Sequence, residues 1–399
     1  NLRHIALKSN SLPHQQMNKA FVSLPLLQTV DLSQTNVSDQ MLGVIACYCE
    51  QIKYLNLCNS RVTDVGIISL CQGPRNCSPD TKKVTAIAKS LVRLKLHGTF
   101  VTAEGLQIAL LCMSNLQELS HSALLYALGN MKDCNSLTSS FCDKNGTLLL
   151  EKKTFSLKHV MSDDFGCFVL GLLSDARLIT HAVKLCPNIC YLHLTDLTHV
   201  EEDSLLPLLE LDSIIDLTLH FEEKEDVNFY TLIVPLLVKH GPTINTLRLR
   251  HVQKTNIAVI ACLCPELQIL SLESNSFYSE SNPSYITPVK VEPSFQHLKV
   301  INVYNSIGGN LQEHISYQIP ADNLKLLLKS PPLEDIFLIC QDALIDDMLI
   351  EVANTTQLKY LKSIQFMLCN NITIKSIWAL MHLRNPLSTL SLMDCQQIT

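Results

Sequence analysis

Residues 387–399 read Leu-Ser-Thr-Leu-Ser-Leu-Met-Asp-Cys-Gln-Gln-Ile-Thr, and residues 364–373 read Ile-Gln-Phe-Met-Leu-Cys-Asn-Asn-Ile-Thr. The first stretch holds the order apolar, two free, apolar, one free, Leu. The same spacing begins at Leu2, Leu27, Ile52, Leu91, Leu116, Leu157, Ile189, Ile214, Ile244, Leu267, Leu298, Leu333, Leu361 and Leu387. The gaps run from 23 to 41 residues, and 25 recurs four times. A period of this length marks a stacked repeat. It also accounts for the composition: 69 of 399 residues are Leu, against 12 Gly and one Trp.

The spacing carries its own geometry. The last two apolar residues are two apart, the period of a short strand burying one face, and the first tucks in beside them. Between strands the chain returns as a helix. Ser38-Asp39 before Met41, Leu42, Ile45 and Ala46, and Thr63-Asp64 before Ile67, Ile68 and Leu70, combine a cap with amphipathic three-to-four spacing. One unit cannot bury its own apolar face, so units must stack. The fold class predicted is α/β: a leucine-rich-repeat solenoid, a horseshoe with short parallel strands on the concave face and helices on the convex face.

The expected organisation is a single solenoid over residues 1–399, of about 14 units, with insertions near 73–90, 120–156 and 278–297. Gly73 to Ser90 carries Pro74, Pro79 and Lys82-Lys83, and Ser279 to Pro293 is rich in Ser and Pro, so both read as projecting loops. Asn135 to Lys153 reads either as a degenerate repeat through Leu148-Leu149-Leu150 or as an inserted loop. The units at Leu116 and Leu157 lack the final Leu. Starting inside a strand at Asn1-Leu2 and stopping at Ile398-Thr399, the chain reads as a fragment of a longer protein.

Cys47 to Leu70 places Cys before the strand and Val62-Thr63-Asp64-Val65-Gly66 after it. Together with the two stretches quoted first, this resembles the cysteine-containing subclass of leucine-rich repeats found in F-box/LRR proteins. The base pattern covers nearly the whole chain, and the full Cys and Ile-Thr form only a few units. The resemblance implies the substrate-recognition part of a cullin-type (SCF) ubiquitin ligase, with ubiquitin transfer left to associated subunits. The F-box is not recognisable in this chain, so a Skp-type adaptor and cullin are expected partners only if that module lies outside it. The alternatives are an intracellular LRR scaffold or signalling adaptor without a cullin connection and, in third place, a secreted LRR receptor.

Motifs for chemistry are lacking. There is no glycine-rich phosphate loop, Gly308-Gly309 reads as a turn, and there is no HExxH zinc signature. Cys47-x-Cys49 and Cys262-x-Cys264 lack zinc-knuckle spacing and read as core thiols, as does Cys186 near His193. No catalytic residue, metal or cofactor is expected. Net charge is −6, which argues against a general nucleic-acid binder. The longest nearly unbroken apolar stretch, Phe165–Leu173, is far short of the about 20 residues a membrane helix needs. Sixteen cysteines, many of them set in apolar patterns, fit a reducing compartment, cytoplasmic or nuclear. The five sequons at Asn36, Asn76, Asn145, Asn354 and Asn371 compare with roughly four by chance.

The free positions of each strand point outward, so the binding face can be written down. It carries Arg93, Lys95 and His97; Tyr191, His193 and Thr195; and Thr246, Arg248 and Arg250. Later strands place Ile269, Val300, Tyr304, Phe337, Ile339, Met367 and Met393 where a solvated strand would be polar, a candidate partner site. Strands stacked at about 4.8 Å make an arc suited to another protein or an extended peptide.

Overall fold

The computed structural model describes residues 2–9, 13–73, 84–131, 154–161, 174–278, 294–304, 318–356, 358–383 and 385–398. The Asn135–Lys153 segment, Gly308-Gly309, Phe165–Leu173, the Ser279–Pro293 insertion and the sequons at Asn76 and Asn145 lie outside them. The chain folds into two compact units, Asn1–Asp196 with Glu210–Asp212, and Leu197–Leu209 with Ser213–Thr399.

The first unit carries β1 (His4–Ala6), α1 (His14–Val22), β2 (Thr29–Asp31), α2 (Asp39–Tyr48), β3 (Tyr54–Asn56), α3 (Asp64–Gln72) and α4 (Ala86–Ser90). It continues through β4 (Arg93–Lys95), α5 (Ala103–Cys112), β5 (Glu118–Ser120), α6 (Leu124–Gly129), β6 (His159–Met161), the short β7 (Ser174–Asp175), α7 (Ile179–Leu185) and β8 (Tyr191–Thr198). Strands β1 to β6 and then β8 pair in parallel in chain order, with β7 beside β8. The second unit carries β9 (Asp216–Phe221), α8 (Val234–His240), β10 (Thr246–Arg250), α9 (Ile257–Leu263), β11 (Ile269–Glu273), β12 (Val300–Tyr304), α10 (Ala321–Leu328), β13 (Asp335–Ile339), α11 (Asp346–Thr356), β14 (Ser363–Met367), α12 (Ile374–Met381) and β15 (Thr389–Met393). Its strands also pair in parallel in chain order. Each unit is a leucine-rich-repeat solenoid.

Every one of the predicted strand positions is a strand, the weak units at Leu116 and Leu157 included. Leu27, Ile52, Leu91, Ile214, Ile244, Leu298 and Leu361 and the apolar residues that follow each at the fourth and sixth positions are buried. The first insertion is not wholly loop: Ile87 and Ala88 of α4 are buried, because the Thr85 side chain caps a short helix that folds back on the stack.

Repeat joins repeat through one recurring joint. Asp39, at the start of α2, accepts the backbone N–H of Thr63 at 2.8 Å and its hydroxyl at 2.7 Å. Asp64 does the same for Thr102 at 2.8 and 2.6 Å, and Asp346 for Thr373 at 2.8 and 2.6 Å. Each Thr in turn caps its own helix, accepting from Val65, Glu104 or Lys375. The carboxylates sit at helix N-termini, where the dipole favours them. Burial pushes the Asp346 carboxyl up, but its hydrogen bonds to Thr373 and Ser376 hold it below the usual range. Gly66 and Gly105 are needed here, since a Cβ on either would collide with the Asp39 or Asp64 carboxylate.

The cysteines belong to the same architecture. Cys49, Cys186 and Cys264 end helices three residues before a strand's first apolar position and are fully or nearly fully buried. Cys49 Sγ donates to the Phe21 carbonyl at 3.4 Å. Burial alone pushes the Cys186 and Cys264 thiols up to about 12, so both stay protonated and inert.

Candidate protein-binding face

Strand alternation sends the third and fifth residues of each repeat outward, and the structure adds what lies beside them one repeat away. In the first unit Arg93 is exposed and lays its guanidinium over the Tyr54 ring, 5.1 Å from the centroid. Lys95 Nζ lies 3.6 Å from Glu118 Oε1 on β5. Tyr191 stacks face to face on His159, centroids 4.1 Å apart and planes 2° apart. Burial lowers the His159 pKa, with Glu118 opposing. His193 pairs in register with Met161 and is half-buried, as is Thr195.

His97 departs from expectation. It is only 4% exposed and does not belong to the outward face. β4 ends at Lys95 and the chain turns at Gly98, at φ 65°, so strand alternation no longer directs residue 97.

In the second unit the basic residues are neutralised by neighbouring strands. Arg248 Nη1 lies 3.1 Å from Asp216 Oδ1 and 3.5 Å from Thr218 Oγ1, and Arg250 Nε lies 3.5 Å from Glu273 Oε1. Thr246 is buried. Farther along, Tyr304 and Phe337 meet with centroids 5.7 Å apart. Burial pushes the Tyr304 hydroxyl up to about 12, with the Glu273 carboxylate adding to the shift. Ile269, Val300, Phe337 and Met367 are half-buried, and Met393 is 41% exposed. Ile339, at 4%, is a second correction: the residue expected to be exposed is covered within the row it shares with Met367.

The partners Tyr54, Glu118, His159, Asp216 and Glu273 were not singled out in the sequence. Their signal is readable across repeats rather than along one: Asp216 and Glu273 hold outward positions adjacent to the arginines of β10. Among the described residues no group of three His, Cys, Asp or Glu side chains is arranged to hold a metal, and no helix is long and apolar enough to cross a membrane. The described cysteines are free. Two sequons are built into the fold: Asn371 Nδ2 donates to the Asp342 carbonyl at 2.8 Å while Thr373 is held by Asp346, and Ser38 is the residue before α2.

No family model matches the chain, and no curated protein is similar to it in sequence. Among solved structures it is similar to that of the yeast Rad7 and Elc1 complex, at 14% identity and a TM-score of 0.53, covering 97% of this chain and 85% of that one. It also matches an LRR protein of Leptospira interrogans (16% identity, TM-score 0.41, 98% and 90% covered) and an internalin of Listeria monocytogenes (13%, 0.40, 98% and 86%). The likeness to the first supports the leucine-rich-repeat fold.

Proposed function

We propose that this chain is a protein-binding leucine-rich-repeat module and serves as the substrate-recognition part of a cullin-type ubiquitin ligase. The observation that carries the binding role is the strand face: a regular ladder presents varied aromatic, apolar and charged side chains at fixed spacing. Tyr304, Phe337, Met367 and Met393 make its apolar part. Such a surface supplies proximity and orientation rather than chemistry. The ligase role is supported by the resemblance of the cysteine-bearing repeats to the F-box/LRR pattern. That Rad7, of similar fold, was solved in complex with another protein, Elc1, fits a module of this kind working in an assembly. Free, buried thiols fit a cytoplasmic or nuclear site.

Affinity purification of the full-length protein tests the ligase role. Recovery of a Skp-type adaptor and a cullin supports it, and their absence rejects it in favour of an LRR scaffold or adaptor using the same face. For the face itself, Phe337→Asp combined with Met393→Asp is expected to abolish capture of the recovered partner with circular dichroism unchanged. Ile339 is left alone because a charge there would be buried.

A further inference from the structure

The strand-start edge of the first unit carries charge of the opposite sign to the whole protein. The chain has net charge −6, yet the strand starts of this unit hold Arg3, Lys53, Arg93 and Lys158 at the second or third repeat position. All four are exposed, and among the described residues none has an ion-pair partner. The acids on the same strands are already engaged. Asp31 lies 3.2 Å from Lys8 and accepts from Ser33, and Glu118, 7% exposed, is held by Lys95. The other second positions of this unit are Gln28, Val92, Gln117 and Cys190, none of them acidic. Arg93 is also pre-oriented, since its guanidinium lies over the Tyr54 ring while the residue stays exposed. The equivalent positions of the second unit hold Lys299, Glu334, Lys362, Asp216 and Asp335, and Lys362 is paired with Glu334.

From Arg3 beside β1 to Lys158 beside β6 is five strand steps, about 24 Å at about 4.8 Å per step. That length matches roughly seven residues of extended chain at about 3.4 Å each. We infer that the strand-start edge of the first unit binds an acidic, extended polypeptide segment of the partner protein, with Lys53 and Arg93 at its centre and Arg3 and Lys158 toward its ends. The inference rests on the protein-binding role proposed above. A polypeptide fits better than a nucleic acid: the unpaired cations are few, they are interleaved with Asp31 and Glu118, and the protein is acidic as a whole, whereas phosphate backbones are gripped by continuous basic surface.

The test uses the full chain and a fluorescein-labelled eight-residue peptide of alternating Glu and Ser, followed by fluorescence polarisation at low and high salt. Lys53→Glu, Arg93→Glu and Lys158→Glu combined should weaken binding roughly tenfold or more, because attraction is replaced by repulsion. A second variant, Lys19→Glu, Lys89→Glu and Lys184→Glu, puts the same charge change on exposed helix positions of the same unit and should bind as the unaltered protein does. Equal weakening in both variants, no peptide binding by the unaltered protein, or tighter binding of a single-stranded RNA of equal charge would each overturn the inference. Partner capture that needs Phe337 and Met393 but ignores the Lys53, Arg93 and Lys158 reversals would reject the basic edge while leaving the protein-binding role intact.

Discussion

Strands β1 to β6 of the first unit are three residues long, whereas β10 to β15 of the second are five, although both are built on the same leucine spacing. The difference lies in how the chain leaves the strand. In the first unit the exit turn closes on itself: Thr35 and Thr99 donate their hydroxyls to the Leu32 and Leu96 carbonyls of their own repeats, at 2.6 and 2.7 Å. The Asp31 and Asn56 side chains accept the backbone N–H two residues on, each at 3.0 Å, which diverts that amide from the ladder. In the second unit the equivalent ninth residue also reaches the preceding repeat, although Cys369 and Cys395 keep a contact to their own Met367 and Met393 carbonyls, each at 3.6 Å. Asn275 Nδ2 donates to Leu249 O at 3.1 Å, Cys369 Sγ to Leu338 O at 3.8 Å and Cys395 Sγ to Phe366 O at 3.7 Å. The leucines set the stack, and the exit residues set how far each strand pairs and so how much outward face it offers.

The comparison can be broken most forcefully at Asn275. It is 1% exposed and also accepts the Val252 N–H at 2.7 Å, so Asn275→Ala orphans two backbone groups. The expected loss is about 4 kcal/mol in urea unfolding of the full chain, against about 1 kcal/mol for Thr99→Val, whose hydroxyl serves only its own turn. Equal losses would remove the distinction between the two exits.

Next in size is a pH effect centred on His121 of the first unit. His121 takes the place of the final Leu in its repeat, its Nδ1 accepts the Ala123 N–H at 3.0 Å, and burial pushes its pKa down to about 4. As pH falls below the ordinary histidine value, the unfolded chain gains the proton before the folded one. Stability should therefore hold above about pH 6.5 and fall by about 3 kcal/mol as pH drops to about 4. His121→Leu should flatten that part of the stability profile, and an unchanged profile would reject the assignment.

The smallest effect sharpens the comparison at the left-handed eighth residue of the repeat. Ser9, Gln34, Asn59, Gly98, Asp196, His251, Ser274, Cys340, Leu368 and Asp394 all have positive φ there. Leu368, at φ 55°, is poorly suited to it. Leu368→Asn should stabilise the second unit by about 1 kcal/mol, read from the urea midpoint, whereas Asn59→Leu should cost the first unit a similar amount.

The strands and the α2 and α3 boundaries were legible because leucine periodicity and Ser-Asp or Thr-Asp starts are local signals, although Thr63 makes its capping hydrogen bond and Ser38 makes none. The pairing of Lys95, Arg248 and Arg250 was not, since it joins residues 23 to 32 apart in sequence. Nor were the burial of His97 and Ile339: both hold the last outward position, where the exit turn and the neighbouring repeats decide exposure.

The central claim is that the strand face, not the helix face, receives the partner. A photo-crosslinking amino acid placed at Phe337 on β13, and in a second protein at exposed Val238 on α8, tests it directly. Adducts with the purified partner from position 337 and none from 238 are predicted; adducts from 238 with none from 337 would contradict the account.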